Sequence, residues 1–417
     1  MKDNANETAN KPKLMKTKHD NPKELSLLTL VSSFFKIGLT AFSMAILQQI
    51  KATIINNKWL SQKQVDEGIA MVQLYPGPII VNLGTYCSYR LKGFWGALLA
   101  TFFFLLPSYV LMLALSWGYF SYGAISWVKP LFMALEAMVV GIVFHVFLDF
   151  GKRYINSSRS AIIAGAAFIL LLFHINALII ILVAITLEIA LHKLIPDDSY
   201  GKPAPSVESL SSLTGKKSSR LIGIIASGAV FIGILFIGAF VHTQNGQLLF
   251  SMFKVGAVAF GNGYTIMPLL QQEVVVSHHW LTLQQFADGI AFGQITPGPF
   301  LITSTFIGYK ISGLLGSLIA TFGMFFPSFF YTLIITEIYD KIKTNKWIRQ
   351  AIKGIMGAFT GMLAWVLLSL GEVSLNSNSL FIWAVGSFVL VRYFKLNILW
   401  IFIIGIAAQL ILYNIAG

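Results

Sequence analysis

Two Pro-Gly-Pro turns are the features of the sequence best suited to hold an anion. They lie at Pro76-Gly77-Pro78 and Pro297-Gly298-Pro299. Proline cannot sit inside a continuous helix, so each turn should end one helix and begin another. A helix start presents unpaired N–H groups and the positive end of its dipole, which together favour an anion. The alternative is that the prolines only bend helices for packing, but the same turn at two places favours a site.

Two lysines occupy matching positions inside apolar segments. Lys36 lies in SFFKIGLTAFS and Lys254 in SMFKVGAVAFG. A lysine within a membrane is costly and is by default a candidate for function. Because both lie near the predicted ends of their helices, the alternative is that their ammonium groups reach the membrane surface. The sequence leaves both interpretations open.

Acidic and amide side chains also match, ahead of the two turns. Glu67 corresponds to Asp288, and Gln73 to Gln294. A paired acid could bind a proton and couple its movement to that of a substrate, or it could instead cap the first turn of a helix. The glutamines could donate hydrogen bonds to an oxyanion or simply bridge helices.

A further break in the second half lies at Gly261-Asn262-Gly263, where two glycines free the backbone. Irregular backbone at membrane depth is tolerated only where it is buried in protein or lines a cavity. We therefore include these three residues with the two Pro-Gly-Pro turns in the candidate substrate site.

These matches belong to an internal repeat of long segments. Residues 33–43 match 251–261, residues 59–78 match 280–299, and residues 85–108 match 305–328. Duplications of this kind are common in secondary transporters, where the site lies between the halves. The predicted organisation is a basic tail (1–24), a first repeat (25–191), a linker (192–220), an extra transmembrane helix (221–242) and a second repeat (248–414).

The composition places the chain in a membrane. It is 56% hydrophobic and only 11% charged, too little charge to cover a soluble protein of 417 residues. The apolar segments are continuous rather than alternating, which predicts an all-α polytopic protein and not a barrel. The net charge of +13 is interpreted as basic cytoplasmic loops rather than as a nucleic-acid site. Neither a metal or cofactor motif nor a catalytic cluster is visible, so an enzyme is not expected.

The basic residues predict that the two halves have inverted topology. Loops rich in lysine and arginine in one half match loops poor in them in the other. Under the positive-inside rule the amino terminus, the linker and the basic loops are then cytoplasmic, in the cell membrane. This arrangement requires 26–50 and 62–92 to return to the side from which they enter, so each is predicted to be a broken or re-entrant hairpin.

The chain resembles the long, two-domain form of the chromate transporters. The resemblance rests on FFKIGLTAF, WLSQKQVDEGIAMVQLYPGP and YRLKGFWGALLATFFFLLPS in the first half, and on FKVGAVAFGNGY and WLTLQQFADGIAFGQITPGPFLITSTFIGYK in the second. It implies export of chromate from the cytoplasm, driven by the membrane proton gradient and giving chromate resistance, with sulfate as a related anion. Family members usually have a Phe-Gly-Gly-Pro turn where this chain has Phe42-Ser43-Met44-Ala45, which puts the exact substrate in doubt.

Two other classes of function stay open at this point. One is transport of another inorganic or organic anion, or of a cation, on the same scaffold, although the lysines argue against a cation. The other is a membrane enzyme or structural subunit, which would need a catalytic cluster. The expected partners are a chromate-like or sulfate-like oxyanion and the lipid bilayer, and a homodimer is one candidate assembly.

Overall fold

The fold was analysed in a computed structural model of the chain. It describes residues 25–40, 45–122, 128–194, 243–261, 263–343 and 345–416, with short pieces at 224–225, 228–229 and 232–233. The predicted tail, most of the linker and most of the extra helix at 221–242 lie outside the described residues. So do Ser43, Met44 and Asn262.

The described residues form fourteen α-helices and no strands. In the first half they are α1 (Leu27–Thr40), α2 (Ala45–Asn56), α3 (Gln62–Met71), α4 (Ile79–Tyr122), α5 (Val128–Tyr154), α6 (Ser158–Leu172) and α7 (Ala177–Leu194). In the second half they are α8 (Gln244–Val258), α9 (Met267–Gln271), α10 (Leu283–Ile295), α11 (Thr303–Ile342), α12 (Lys346–Ser374), α13 (Asn378–Arg392) and α14 (Ile398–Ala416). Short 3₁₀ turns at Tyr264–Ile266 and Phe300–Ile302 precede α9 and α11, and a π-helical turn at Gln272–Ser277 follows α9.

Long apolar helices alternate with helices that are too short to cross a bilayer. Four segments in the described part of the chain are long and apolar enough to span a membrane: Ile79–Tyr122, Lys129–Tyr154, Phe300–Asp340 and Lys346–Ser374. By contrast α1, α2 and α3 have 14, 12 and 10 residues. At about 1.5 Å per residue they reach roughly 15–21 Å, short of the ~30 Å hydrocarbon core. Short, broken helices of this kind are what the predicted hairpins need.

Both of the longest helices are bent at one glycine. In α4 the backbone leaves the helical conformation at Lys92 (φ −136°) and Gly93 (φ 64°), and in α11 at Ser312 (φ −144°) and Gly313 (φ 57°). A positive φ is costly for any residue with a Cβ, so glycine allows the bend. Each long element is therefore a short helix followed by a longer, spanning one.

The two halves share local geometry at matched positions. The positive-φ residues Lys58 and His279 correspond, as do His174 and Lys395. Helix α3 starts with a capping box at Ser61 and α10 with one at Thr282, the matching residue. The repeat seen in the sequence therefore extends through the helix turns at the end of each half.

The last two helices of each half pack against the other half. A side chain at Gly141 on α5 would overlap the carbonyl oxygen of Ala384 on α13, and one at Gly361 on α12 would overlap that of Ala164 on α6. Helices α4 and α11 also pack against each other. The two halves are thus interlocked around α4, α5, α11 and α12.

Large apolar side chains are exposed along the spanning helices. In a soluble protein a patch of this size is a liability, whereas in a bilayer it is the lipid-facing surface. On α4 and α11 the exposed residues are Trp95, Phe102, Val110, Trp117, Leu314, Leu315, Leu318 and Phe322. The prediction of an all-α polytopic membrane protein is confirmed.

The inverted orientation of the halves can be tested at one matched pair of residues. Ser158 and Asn378 are both exposed, begin α6 and α13, and correspond in the repeat. In a Cys87→Ser background, Ser158→Cys and Asn378→Cys should react with an impermeant thiol reagent from opposite sides of the membrane. Labelling of both from one side would mean that the halves are parallel. Cys87 itself is fully buried, so the parent protein should not label.

Candidate functional site

The first Pro-Gly-Pro turn joins the two halves through its backbone. It connects α3 to α4, and Gly77 has a φ of 131°. The Gly77 N–H donates to the carbonyl of Ala259, and the Ile79 N–H donates to that of Gly261 at 3.2 Å. The helix start predicted from the sequence is present, but these two N–H groups already have partners. An anion at this turn must therefore use other donors.

Each turn lies against a serine of the opposite half. A Cβ added to Gly77 would lie 2.5 Å from Ser328 Cβ on α11. A Cβ added to Gly298, whose φ is 101°, would overlap Ser108 Oγ on α4. Ser108 and Ser328 follow the matched prolines of the two Pro-Ser pairs. The two turns thus face the α4–α11 pair in symmetric fashion.

Buried polar atoms without partners gather near these turns. The Asn82 side chain is fully buried and lies beside Gly77, and neither its Nδ2 nor its Oδ1 has a hydrogen-bonding partner among the described residues. The same holds for Ser108 Oγ, for Ser304 Oγ and for Gln294 Nε2, while Gln294 Oε1 accepts from the Tyr264 hydroxyl at 3.0 Å. Buried polar groups are normally paired, and unpaired donors mark a place for a missing ligand or water.

The two candidate lysines have different surroundings. Lys36 is exposed on α1. Lys254 Nζ lies 2.6 Å from Glu273 Oε1 and faces a narrow pocket beside Ala177, where α7 begins. Its charge is matched by the buried carboxylate of Glu273, close to the start of α7. A paired lysine adds less positive potential to a substrate site than a free one would.

Glu67 and Gln73 are not enclosed in the core of the first half. Gln73 is exposed and Glu67 is half-buried. A neighbouring charge belongs to Lys343, just after α11, whose pKa is raised by its hydrogen bond to Asp340 and also by Glu67. Glu67 therefore lies near the ammonium group of Lys343, which is already paired with Asp340 at 2.9 Å.

Asp288 has the opposite setting. It is buried, and its Oδ2 accepts a 2.6 Å hydrogen bond from the hydroxyl of Tyr119 on α4. Its Oδ1 has no donor in the part of the chain that the structure describes, and a neighbouring group is the carboxyl of Glu136 on α5. Glu136 accepts in turn from Gln284 Nε2 at 3.2 Å and lies 3.5 Å from the Ser374 hydroxyl.

Aromatic rings pack around Tyr119, the hydrogen-bonding partner of the buried Asp288. The Tyr119 ring makes edge contacts with Phe120, Phe132, Phe292 and Phe306 at centroid distances of 4.9–5.7 Å. A negative charge in such surroundings is costly unless it is compensated.

A cavity gives access to this carboxylate. Its volume is about 440 Å³, and its lining includes Tyr119, Gln284, Asp288 and two lysines, Lys129 and Lys310. Lys310 Nζ also lies 5.2 Å above the centre of the Phe120 ring. The cavity combines an acid that can hold a proton with two cations that attract an anion.

Comparison with known proteins identifies the family to which the chain belongs. The sequence profile described as "Chromate transporter" matches residues 28–189 and 246–410, which include both Pro-Gly-Pro turns and both halves of the cavity. The chain belongs to the chromate transporter family. Membership accounts for a polytopic helical protein that moves chromate or a related anion across a membrane, rather than an enzyme.

Relatives of this family match nearly the whole chain. An uncharacterised transporter of Methanocaldococcus jannaschii is 29% identical over 93% of this chain and 94% of its own length. A probable chromate transport protein of Synechococcus elongatus is 28% identical over 89% and 91%, and a chromate transport protein of Cupriavidus metallidurans is 27% identical over 84% of each. No solved structure matches the chain.

Several residues of the site were missed from the sequence. Asn82 and Ser108 have no charge to attract notice, and Glu136 has Met356 as its counterpart, so a search for residues matched between the halves passes over it. The signal that would have found Glu136 is an acid within an apolar spanning segment, which is by default a functional candidate.

Proposed function

We propose that the protein exports chromate from the cytoplasm and binds it between the two Pro-Gly-Pro turns. The observation that carries the proposal is that both turns lie against α4 and α11 among buried donors that have no partner, notably Asn82, Ser108 and Gln294. Hydroxyl and amide donors suit a tetrahedral oxyanion, whose four oxygens accept hydrogen bonds.

The charge of the anion requires compensation beyond these neutral donors. Chromate is a dianion, and each helix start supplies only about half a unit of positive charge. Lys36 and Lys254 were the first candidates for the remainder, but Lys254 is paired with Glu273. Lys129 and Lys310 line the cavity with Asp288 and would supply positive potential along the path of the anion rather than at the turns. A proton taken up by an acid near the path of the anion would remove one further negative charge that repels it.

The proposed coupling ion is a proton bound at the acids that precede the turns. Asp288 is the better candidate of the matched pair because it is buried, whereas Glu67 is half-buried near Lys343. An ionised acid repels the dianion and a protonated one does not, so proton and anion should bind together. With one proton per dianion the net charge moved is still negative. A membrane potential that is negative inside therefore favours export, by about 2.3 kcal/mol per charge for each 100 mV. The proton that leaves with the anion moves against a gradient that is acidic outside, so in this proposal the potential, and not the pH difference, drives export.

Sulfate should compete for the same site because it has the same shape and charge as chromate. The proposal also includes the cell membrane as the location and a cytoplasmic amino terminus, both based on the distribution of basic loops. One copy of the chain contains both turns and the cavity, so a homodimer is not required for the site. The second candidate function is transport of another anion. It is favoured by Ser43-Met44-Ala45, which replace the glycines of the usual family turn.

Cells that express the protein test the direction of transport. Expression should raise chromate resistance and lower cell-associated chromate, and added sulfate should reduce both effects. The matched control is Asp288→Asn, expressed at the same level in the membrane, which should lose most of the resistance. Accumulation of chromate by expressing cells would contradict export.

A further inference from the structure

We infer that Glu136 and Asp288 form a carboxyl pair that keeps one proton at rest and takes up a second together with the anion. The inference rests on the proposed function and names the group that couples proton movement to it. It replaces the symmetric pair of Glu67 and Asp288 with an asymmetric pair, one acid from each half.

The hydrogen bonding around the pair requires a shared proton. Asp288 Oδ1 is buried and has no donor among the described residues. The neighbouring Glu136 carboxyl accepts from Gln284, one turn before Asp288 on α10, and is itself an acceptor when ionised. Two ionised carboxylates in contact repel each other, whereas a single proton between them satisfies both oxygens. Tyr119 donates to Asp288 Oδ2 and Gln284 donates to Glu136 Oε1, while the Ser374 hydroxyl lies 3.5 Å from Glu136 Oε2.

The charged and titratable groups that face the pair determine whether it takes up a proton when an anion enters the cavity. They are Tyr119 on α4, Lys129 on α5 together with Glu136 itself, and Lys310 on α11. Among the described residues of α12, the neighbour of Glu136 is the hydroxyl of Ser374. With one proton bound, the pair carries one negative charge, which is smaller than the two positive charges of Lys129 and Lys310. When a dianion enters the cavity, the net charge there becomes negative, and the uptake of a second proton neutralises the pair.

The first half has no equivalent of this arrangement. The counterpart of Asp288 is Glu67, and the counterpart of Glu136 is Met356. Phe292 and Phe306, whose rings contact Tyr119, correspond to Met71 and Tyr86. Glu67 thus lacks both the second acid and the ring of phenylalanines. The anion site is built from both halves, but the proton site depends on one side of the repeat.

Proton uptake by the purified full-length protein tests the inference. Chromate is added in weakly buffered detergent solution, at an alkaline pH where it is a dianion, and the protons taken up per bound chromate are measured. Wild type should take up about one proton, since one pair neutralises one charge. Glu136→Gln and Asp288→Asn should each lose most of that uptake although chromate still binds, because a neutral amide resembles the protonated acid. Glu136→Asp should keep part of it.

The control is Glu372→Gln, an exposed carboxylate on α12 near Ser374, which should behave as wild type. Undiminished proton uptake in Glu136→Gln would overturn the inference. Absence of chromate binding and flux in wild type would instead refute the proposed function. In that case infrared spectra test the protonation of the carboxyl pair independently of chromate transport. Wild type should show the band of a protonated carboxyl, lost in the double variant Glu136→Gln/Asp288→Asn, and a wild type without that band would overturn the inference.

Discussion

Lys254→Ala is expected to destabilise the protein strongly and to reduce chromate transport at least tenfold. The substitution leaves the buried carboxylate of Glu273 without the ammonium group that lies 2.6 Å from it. Breaking a buried ion pair costs about 3–5 kcal/mol, and we expect about 2–3 kcal/mol here because the lysine side chain is 26% exposed. The measurement is the free energy of unfolding in detergent, alongside flux in proteoliposomes.

The double variant Lys254→Ala/Glu273→Gln separates the two roles considered for this lysine. Because it removes both charges, it should recover most of the lost stability and bring transport back to near the wild-type rate. Lys36→Ala is the matched control, and it should change the free energy of unfolding by less than about 0.5 kcal/mol because Lys36 is exposed. A double variant that is stable but inactive would show that Lys254 acts on the anion itself.

Asn82→Asp is expected to lower chromate transport about a hundredfold or more. The side chain is fully buried beside Gly77, where the proposal places the anion. A carboxylate there would repel a dianion, and a loss of about 3 kcal/mol in binding already corresponds to a hundredfold. Initial rates of flux, normalised to folded protein, provide the measurement.

Asn82→Ser is the control for this prediction, since it keeps a small polar donor and should retain much of the activity. Ser108→Ala removes the hydroxyl beside the second turn and should weaken chromate binding severalfold. Substitution of Gly77 or Gly298 is a poor test. Both have positive φ and would place a Cβ against a neighbouring side chain, so loss of folding would obscure any loss of binding. Full activity of Asn82→Asp would exclude the anion from this turn.

The sequence predicted those parts of the fold that depend on local composition. Continuous apolar segments required helices in a membrane, and the repeated Pro-Gly-Pro turns required breaks at Gly77 and Gly298 because proline cannot continue a helix. The bends at Gly93 and Gly313 were not predicted, although glycine is visible there. Arg90 and Lys92 precede Gly93 and Lys310 precedes Gly313. These basic residues mark a break in each apolar segment but do not show that a helix continues on both sides of it.

The parts that could not be predicted depend on which helices meet. Glu136 and Asp288 are far apart in sequence and belong to different halves, so no spacing links them. Lys254 and Glu273 are similarly joined only by the packing of α8 against the segment after α9. The repeat also concealed differences between the halves, because Glu67 and Asp288 match in sequence although Glu67 is half-buried and Asp288 is buried against Tyr119.

Chromate flux in oriented membrane vesicles tests the central claim most directly. Inverted vesicles expose the cytoplasmic face, so with a positive interior they should accumulate chromate faster than vesicles without the protein. Sulfate should slow this accumulation, and Asn82→Asp should abolish it. Right-side-out vesicles loaded with chromate should release it faster when the protein is present. If neither orientation moves chromate above the background while the protein is folded in the membrane, chromate is not the substrate and the account is contradicted.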